Sequence, residues 1–83
     1  MRIWIKKDNI EWGQRRQHNN CPIARRLKEL TQKTVSVERY LVHIGNKSFR
    51  LHNSAKNFVR AFDYYEDVKP CYVSIEGLTK ADL

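Results

Sequence analysis

At 83 residues the chain has room for one compact domain and not for two. With 41% hydrophobic and 30% charged residues, three glycines and two prolines, its composition excludes a disordered, collagen-like or linker segment. Sixteen Lys and Arg against nine Asp and Glu leave a net charge of +7, which favours an anionic partner: nucleic acid, a membrane surface or an acidic protein. The excess is uneven, because the first 33 residues hold nine of the cations and three of the acids. The opening Met1-Arg2-Ile3-Trp4-Ile5-Lys6-Lys7 lacks the apolar stretch of a signal peptide. No run approaches the roughly 18 apolar residues of a membrane span. A cytoplasmic protein with no membrane contact is therefore expected. Two cysteines, Cys21 and Cys71, are too few for a disulfide scaffold and are expected as free thiols.

Residues 1 to 6 alternate apolar and polar, the period of a half-buried strand. Asp8 with Glu11 three residues later fits a capping box for one short helical turn carrying Ile10 and Trp12, ended by Gly13. A basic, amide-rich loop follows to Asn20. Pro22 suits a first helical position, since its fixed φ and missing N–H cost nothing there. Ile23, Ala24, Leu27 and Leu30 then form one apolar stripe, with Arg25, Lys28 and Glu29 opposite.

From Val35 to Leu51 the chain is rich in β-branched and aromatic residues around Gly45-Asn46, which predicts a two-residue type II′ hairpin. That register pairs Ile44 with Lys47, Val42 with Phe49 and Tyr40 with Leu51. Val35 and Val37 are out of phase with Tyr40, Val42 and Ile44, which predicts a bulge near Glu38 or an irregular strand start. Ser54 is a candidate N-cap for a second helix over roughly 55 to 67, ended before Pro70. Residues 71 to 76 alternate again, and Gly77 closes the last strand.

The order β-α-β-β-α-β is the ferredoxin-like pattern. It predicts a two-layer α+β domain over residues 1–77, with a four-stranded antiparallel sheet in the order 4-1-3-2, two helices on one face, and a loose tail over 78–83. Ile3, Ile5, Tyr40, Val42, Phe49, Leu51, Val73 and Ile75 would be its core. A two-layer domain with another strand order is the competing topology.

The opposite sheet face would then be open and would gather Arg2, Trp4 and Lys6 with Arg50, His52 and Tyr72. Bases can stack on Trp4 and Tyr72 while the cations neutralise phosphates, as sheet-type readers of single strands do. Polar and aromatic residues also suit any wet pleated surface, and the loop from Asp8 to Asn20 has the length to cover Trp4. The segment Lys47 to His52 lacks the Gly and aromatic spacing of an RNA-recognition motif. A second basic surface is expected from Arg15, Arg16, Arg25, Arg26 and Lys28, beside the N–H groups of a helix start. Such charge runs often serve only solubility.

Asp63, Glu66 and Asp67 crowd a helix C-terminus, where the dipole disfavours anions, so pairing with the basic first helix is expected. His18 and Cys21, three apart, lack the second ligand pair of a zinc site, and no metal or cofactor is expected. Cys21 at a helix start would have a favoured thiolate, yet no acid and base pair accompanies it. A non-enzymatic module is expected.

The helix opening Cys21-Pro22-Ile23-Ala24, the later Phe58-Val59-Arg60-Ala61-Phe62-Asp63 and the strand after Pro70 resemble small uncharacterised open reading frames of bacteriophages and other mobile elements. The resemblance supplies no catalytic or binding residues. It implies a phage-encoded effector, including a small inhibitor of a host defence complex such as an anti-CRISPR protein. Two functions are thus expected from the sequence: a nucleic-acid-binding module using the open sheet face, or an interaction module whose basic surface engages an acidic or nucleoprotein host complex.

Overall fold

Alternation of apolar residues makes β1 (Arg2–Ile5), whose Ile3 and Ile5 are buried while Arg2 and Trp4 face out. The computed structural model describes all 83 residues and continues with α1 (Lys7–Trp12), α2 (Pro22–Thr31), β2 (Val35–Val37), β3 (Leu41–Ile44), β4 (Lys47–Leu51), α3 (Asn53–Asp63) and β5 (Cys71–Glu76). The five strands form one antiparallel sheet in the order β1-β5-β4-β3-β2. A Cα radius of gyration of 11.2 Å, against about 12 Å for a close-packed domain of this length, makes this a small compact α+β fold. No helix is long and apolar enough to cross a membrane.

The ferredoxin-like expectation of four strands and two helices is overturned by this topology. Its first error lies at Glu38. The phase break between Val37 and Tyr40 is a chain reversal, not a bulge: Glu38 N donates to Leu41 O, and β2 folds back on β3 with Val35 opposite Ile44 and Val37 opposite Val42. A hairpin restores the phase that a continuous strand would break. The second error is the place of the last strand. α3 stops at Asp63, with Tyr65 in the left-handed region at φ 64°, and residues 64–70 give the chain length to turn round. β5 therefore returns antiparallel beside β4, and β1 is displaced from the middle of the sheet to its edge. The short turn after β1 is a six-residue helix, α1, packed on α2.

The Gly45-Asn46 hairpin has the expected register, with Val42 opposite Phe49 and Ile44 opposite Lys47. Gly45 takes φ 59° and Asn46 does not enter positive φ, the sign pattern of a type II′ turn. Tyr40, expected in the core, lies instead in the β2–β3 turn and is 58% exposed. Phe49 is only half-buried. The core is built from Ile3, Ile5, Val42, Leu51, Val73 and Ile75 of the sheet together with Ile23, Ala24 and Leu27 of α2 and Ala55, Phe58 and Phe62 of α3. Leu78, the first residue of the expected tail, is buried with them, and Lys80–Asp82 forms a short 3-10 turn held by the Lys47–Asp82 ion pair.

α2 starts at Pro22, as expected, and packs against both edge strands, β1 and β2, so it spans the concave side of the sheet. Part of each edge is occupied from this side. Arg26 Nε donates to Trp4 O on β1 at 2.8 Å. On β2, Val37 N donates to His18 O at 2.7 Å, and the His18 ring sits 2.9 Å from Val37 O. Side chains and loop backbone thus occupy edge groups that would otherwise template another strand. α3 is capped by His52, whose Nδ1 accepts from Ser54 N. Ser54, the expected cap, instead accepts from Ser74 N of β5 at 3.0 Å and so ties the helix start to the sheet.

Candidate functional site

With all three helices on one side, the other face of the sheet is wet, and the residues that alternation sends there decide what it can do. Arg2 and Trp4 of β1 lie opposite Ser74 and Tyr72 of β5. The Trp4 and Tyr72 rings meet edge-to-face at 4.9 Å between centroids and 67° between planes, a favourable arrangement for two quadrupoles. The Arg2 guanidinium lies 4.5 Å from the Tyr72 centroid. Trp4 is 40% exposed and Tyr72 52%, so each presents ring surface to solvent. The loop over residues 13–20 leaves Trp4 uncovered, and Trp12 itself points outward. Arg50 of β4 shares this face, exposed and paired in register with Glu76 of β5 and Leu41 of β3. The face is thus an aromatic pair with a cation stacked on it and a second cation two strands away.

Two residues expected on this face are elsewhere. Lys6 turns to the helical side, where its Nζ reaches Glu29 Oε2 of α2 at 2.5 Å. Asn9, buried in α1, completes that brace: its Oδ1 accepts from Lys6 N at 2.9 Å and its Nδ2 donates to Glu29. Desolvation pushes the Glu29 carboxyl up, but the hydrogen bonds from Lys6 and Asn9 and the charges of Lys6 and Arg26 outweigh it and hold the group below its usual range. His52 sits at the start of α3 as its cap.

The second basic surface is largely committed to holding the fold. Arg15 Nε donates to Phe62 O at 3.0 Å, and its guanidinium lies over the Phe62 and Tyr65 rings at 4.7 and 4.3 Å. Arg26 holds Trp4 O, Lys28 Nζ donates to Asn19 O, and Arg25 reaches Asn20 Oδ1 at 3.5 Å. Arg16 lies over Tyr64 at 5.6 Å, and its backbone N–H donates to Asp63 at 2.9 Å. That backbone bond is how Asp63 is answered. The expected ion pairing of Asp63, Glu66 and Asp67 with the first long helix is absent from the four ion pairs of the structure.

Ser48, His43 and Glu38 form a hydrogen-bonded chain on the wet face, with Ser48 Oγ 2.6 Å from His43 Nδ1 and His43 Nε2 against Glu38. The chain bridges β4, β3 and the β2–β3 turn, and Ser48 lines none of the three main surface grooves. Cys21 is buried, and burial pushes its thiol up in spite of the helix N–H groups near it, contrary to the expected favoured thiolate. Burial also raises half-buried Cys71. No three His, Cys, Asp or Glu side chains come together as metal ligands.

The sequence reading missed a groove between the β2–β3 turn and α3, walled by Arg39, Tyr40, Lys56, Arg60 and Tyr64. Its signal was present as a polar stripe along α3, with Asn53, Lys56, Asn57 and Arg60 at i, i+3, i+4 and i+7. Comparison with family models, with curated proteins and with solved structures finds no match to this chain.

Proposed function

We propose that this protein is a small non-enzymatic module that binds single-stranded nucleic acid on the outer face of its sheet. The observation that carries the reading is the exposed Trp4–Tyr72 pair with Arg2 stacked upon it. A splayed base gains about 1 to 3 kcal/mol by stacking on such a ring, and every base has a face to offer, so binding is tolerant of sequence. Arg2 beside the rings and Arg50 across the sheet supply charge for the phosphates, and a net charge of +7 draws the strand in.

The alternative, a phage-type inhibitor gripping an acidic host complex through Arg15, Arg16, Arg25, Arg26 and Lys28, has less behind it. Arg15, Arg26 and Lys28 are each tied by one hydrogen bond to a carbonyl of the protein itself, which fixes where their heads can point. The test is fluorescence anisotropy with labelled single-stranded and duplex oligonucleotides at two salt concentrations. Tighter binding to single strands, falling steeply as salt rises, is expected. No binding at low salt, or a preference for duplex, rejects the proposal.

A further inference from the structure

A groove of about 630 Å³ runs between the β2–β3 turn and the polar stripe of α3. Arg39 and Tyr40 form one wall, and Lys56, Arg60 and Tyr64 the other. Lys56 and Arg60 are four residues apart on one helix, so the 1.5 Å rise sets them about 6 Å apart along its axis, comparable to the phosphate step of a nucleic-acid strand. Asn53 and Asn57 add amide donors on the same stripe.

The donors of this groove are uncommitted. Unlike Lys6, Arg15, Arg26 and Lys28, the side chains of Arg39, Lys56, Arg60, Asn53 and Asn57 take part in none of the hydrogen bonds or ion pairs of the fold. Arg39 and Lys56 only flank the Tyr40 ring, at 5.4 and 5.6 Å. The two carboxylates on the rim are turned to other partners, Glu38 to His43 and Asp63 to Arg16 N. Tyr40 and Tyr64 remain 58% and 65% exposed. Three cations without hydrogen-bonded partners outnumber the two carboxylates, and with two amides and two partly exposed phenol rings they suit a chain of phosphates carrying flat bases.

The groove is also continuous with the outer face. A second, smaller groove shares Tyr40, Asn53 and Lys56 with it and reaches Arg50 and His52. Arg50 belongs to the sheet face that carries Trp4 and Tyr72. We infer that the α3 groove holds the phosphate backbone of the same single strand whose bases stack on Trp4 and Tyr72, Lys56, Arg60 and, from the opposite wall, Arg39 each neutralising one phosphate and Tyr40 and Tyr64 flanking the bases between. This inference rests on the proposed function, and its test separates the two.

The experiment measures the salt dependence of oligonucleotide affinity for the full chain and for Lys56→Gln/Arg60→Gln. Glutamine keeps the helix propensity of the exposed stripe. Each phosphate contact to a single strand adds about 0.7 to the slope of log affinity against log salt. The double variant is therefore expected to lose about 1.4 from the slope. Between about 50 and about 200 mM salt, its affinity should fall about sevenfold less than that of the wild type. Arg39→Gln, which leaves α3 untouched, should lose about 0.7 and keeps the test open if the double variant fails to fold. Lys7→Gln, in the exposed Lys7–Glu11 pair of α1, should leave the slope as it is.

An unchanged slope in both groove variants, with Trp4→Ala still weakening binding, overturns the groove and leaves the sheet face standing. Absence of wild-type binding overturns both. Poly-glutamate competing as well as the oligonucleotide would make the occupant an acidic protein segment and overturn the inference.

Discussion

Replacing Asn9 with alanine isolates the brace that holds α1 to α2. α1 has only six residues and no stability of its own at that length. Asn9 is 3% exposed, accepts from Lys6 N at 2.9 Å and donates to Glu29. Loss of the helix-start bond costs about 1 kcal/mol, within the range for capping groups. Loss of a hydrogen bond to a charged partner costs about 1.5 to 3 kcal/mol. The Glu29 side chain is 39% exposed, so water replaces part of that bond and the lower end applies. Asn9→Ala should therefore destabilise by roughly 2 to 3 kcal/mol. For a domain of this size that lowers Tm by about 10 to 20 °C, read by circular dichroism melts and urea titration. A double-mutant cycle with Glu29→Gln should show a coupling of about 1 kcal/mol or more. A drop below about 0.5 kcal/mol with no coupling would mean that solvent serves Lys6 N and Glu29 equally well, and the brace would be incidental.

Trp4→Ala removes a half-exposed ring and its edge-to-face partner contact, so stability should fall by only about 1 to 2 kcal/mol; a fall of 3 to 5 kcal/mol, roughly the cost for a fully buried aromatic, would show the ring to be core. Because the folded Glu29 carboxyl lies below its usual range, the unfolded state binds the proton first as pH falls. The stability it adds is present above about pH 4.3 and is lost as pH drops through the folded value. Acid titration of stability should thus be shallower in Glu29→Gln, and identical curves would reject the assignment. Disulfide-exchange labelling of the native protein should modify half-buried Cys71 first and buried Cys21 only on unfolding; equal rates would contradict the burial of Cys21.

Local chemistry was legible in the sequence where one residue type has one conformational use. Pro22 marks the start of α2, and Gly45 with Asn46 sets the register of β3 against β4. Strand order was not legible, because it depends on where α3 ends and how the seven residues after Asp63 turn, and on a hairpin at Glu38 that produces the same phase break as a bulge. The stacked part of the site was legible: strand period alone sends Arg2, Trp4 and Tyr72 to one face. Lys6 escaped that reasoning because the strand ends before it and α1 turns it toward Glu29. Charge counting could not see the groove beside α3 for a related reason. It sums formal charges along the chain, whereas the folded chain ties Arg15, Arg26 and Lys28 by hydrogen bonds to Phe62 O, Trp4 O and Asn19 O and leaves Arg39, Lys56 and Arg60 without such bonds.

The most direct measurement uses Trp4 as its own reporter. Trp12 is 68% exposed and takes no part in the stacked pair, so Trp12→Phe leaves Trp4 as the single tryptophan. Titration of that variant with a single-stranded oligonucleotide should quench its fluorescence saturably, over the same concentrations at which anisotropy of a labelled strand reports binding, and added salt should reverse it. Anisotropy that reports binding while Trp4 fluorescence stays constant would place the strand elsewhere on the molecule and contradict stacking on the outer face.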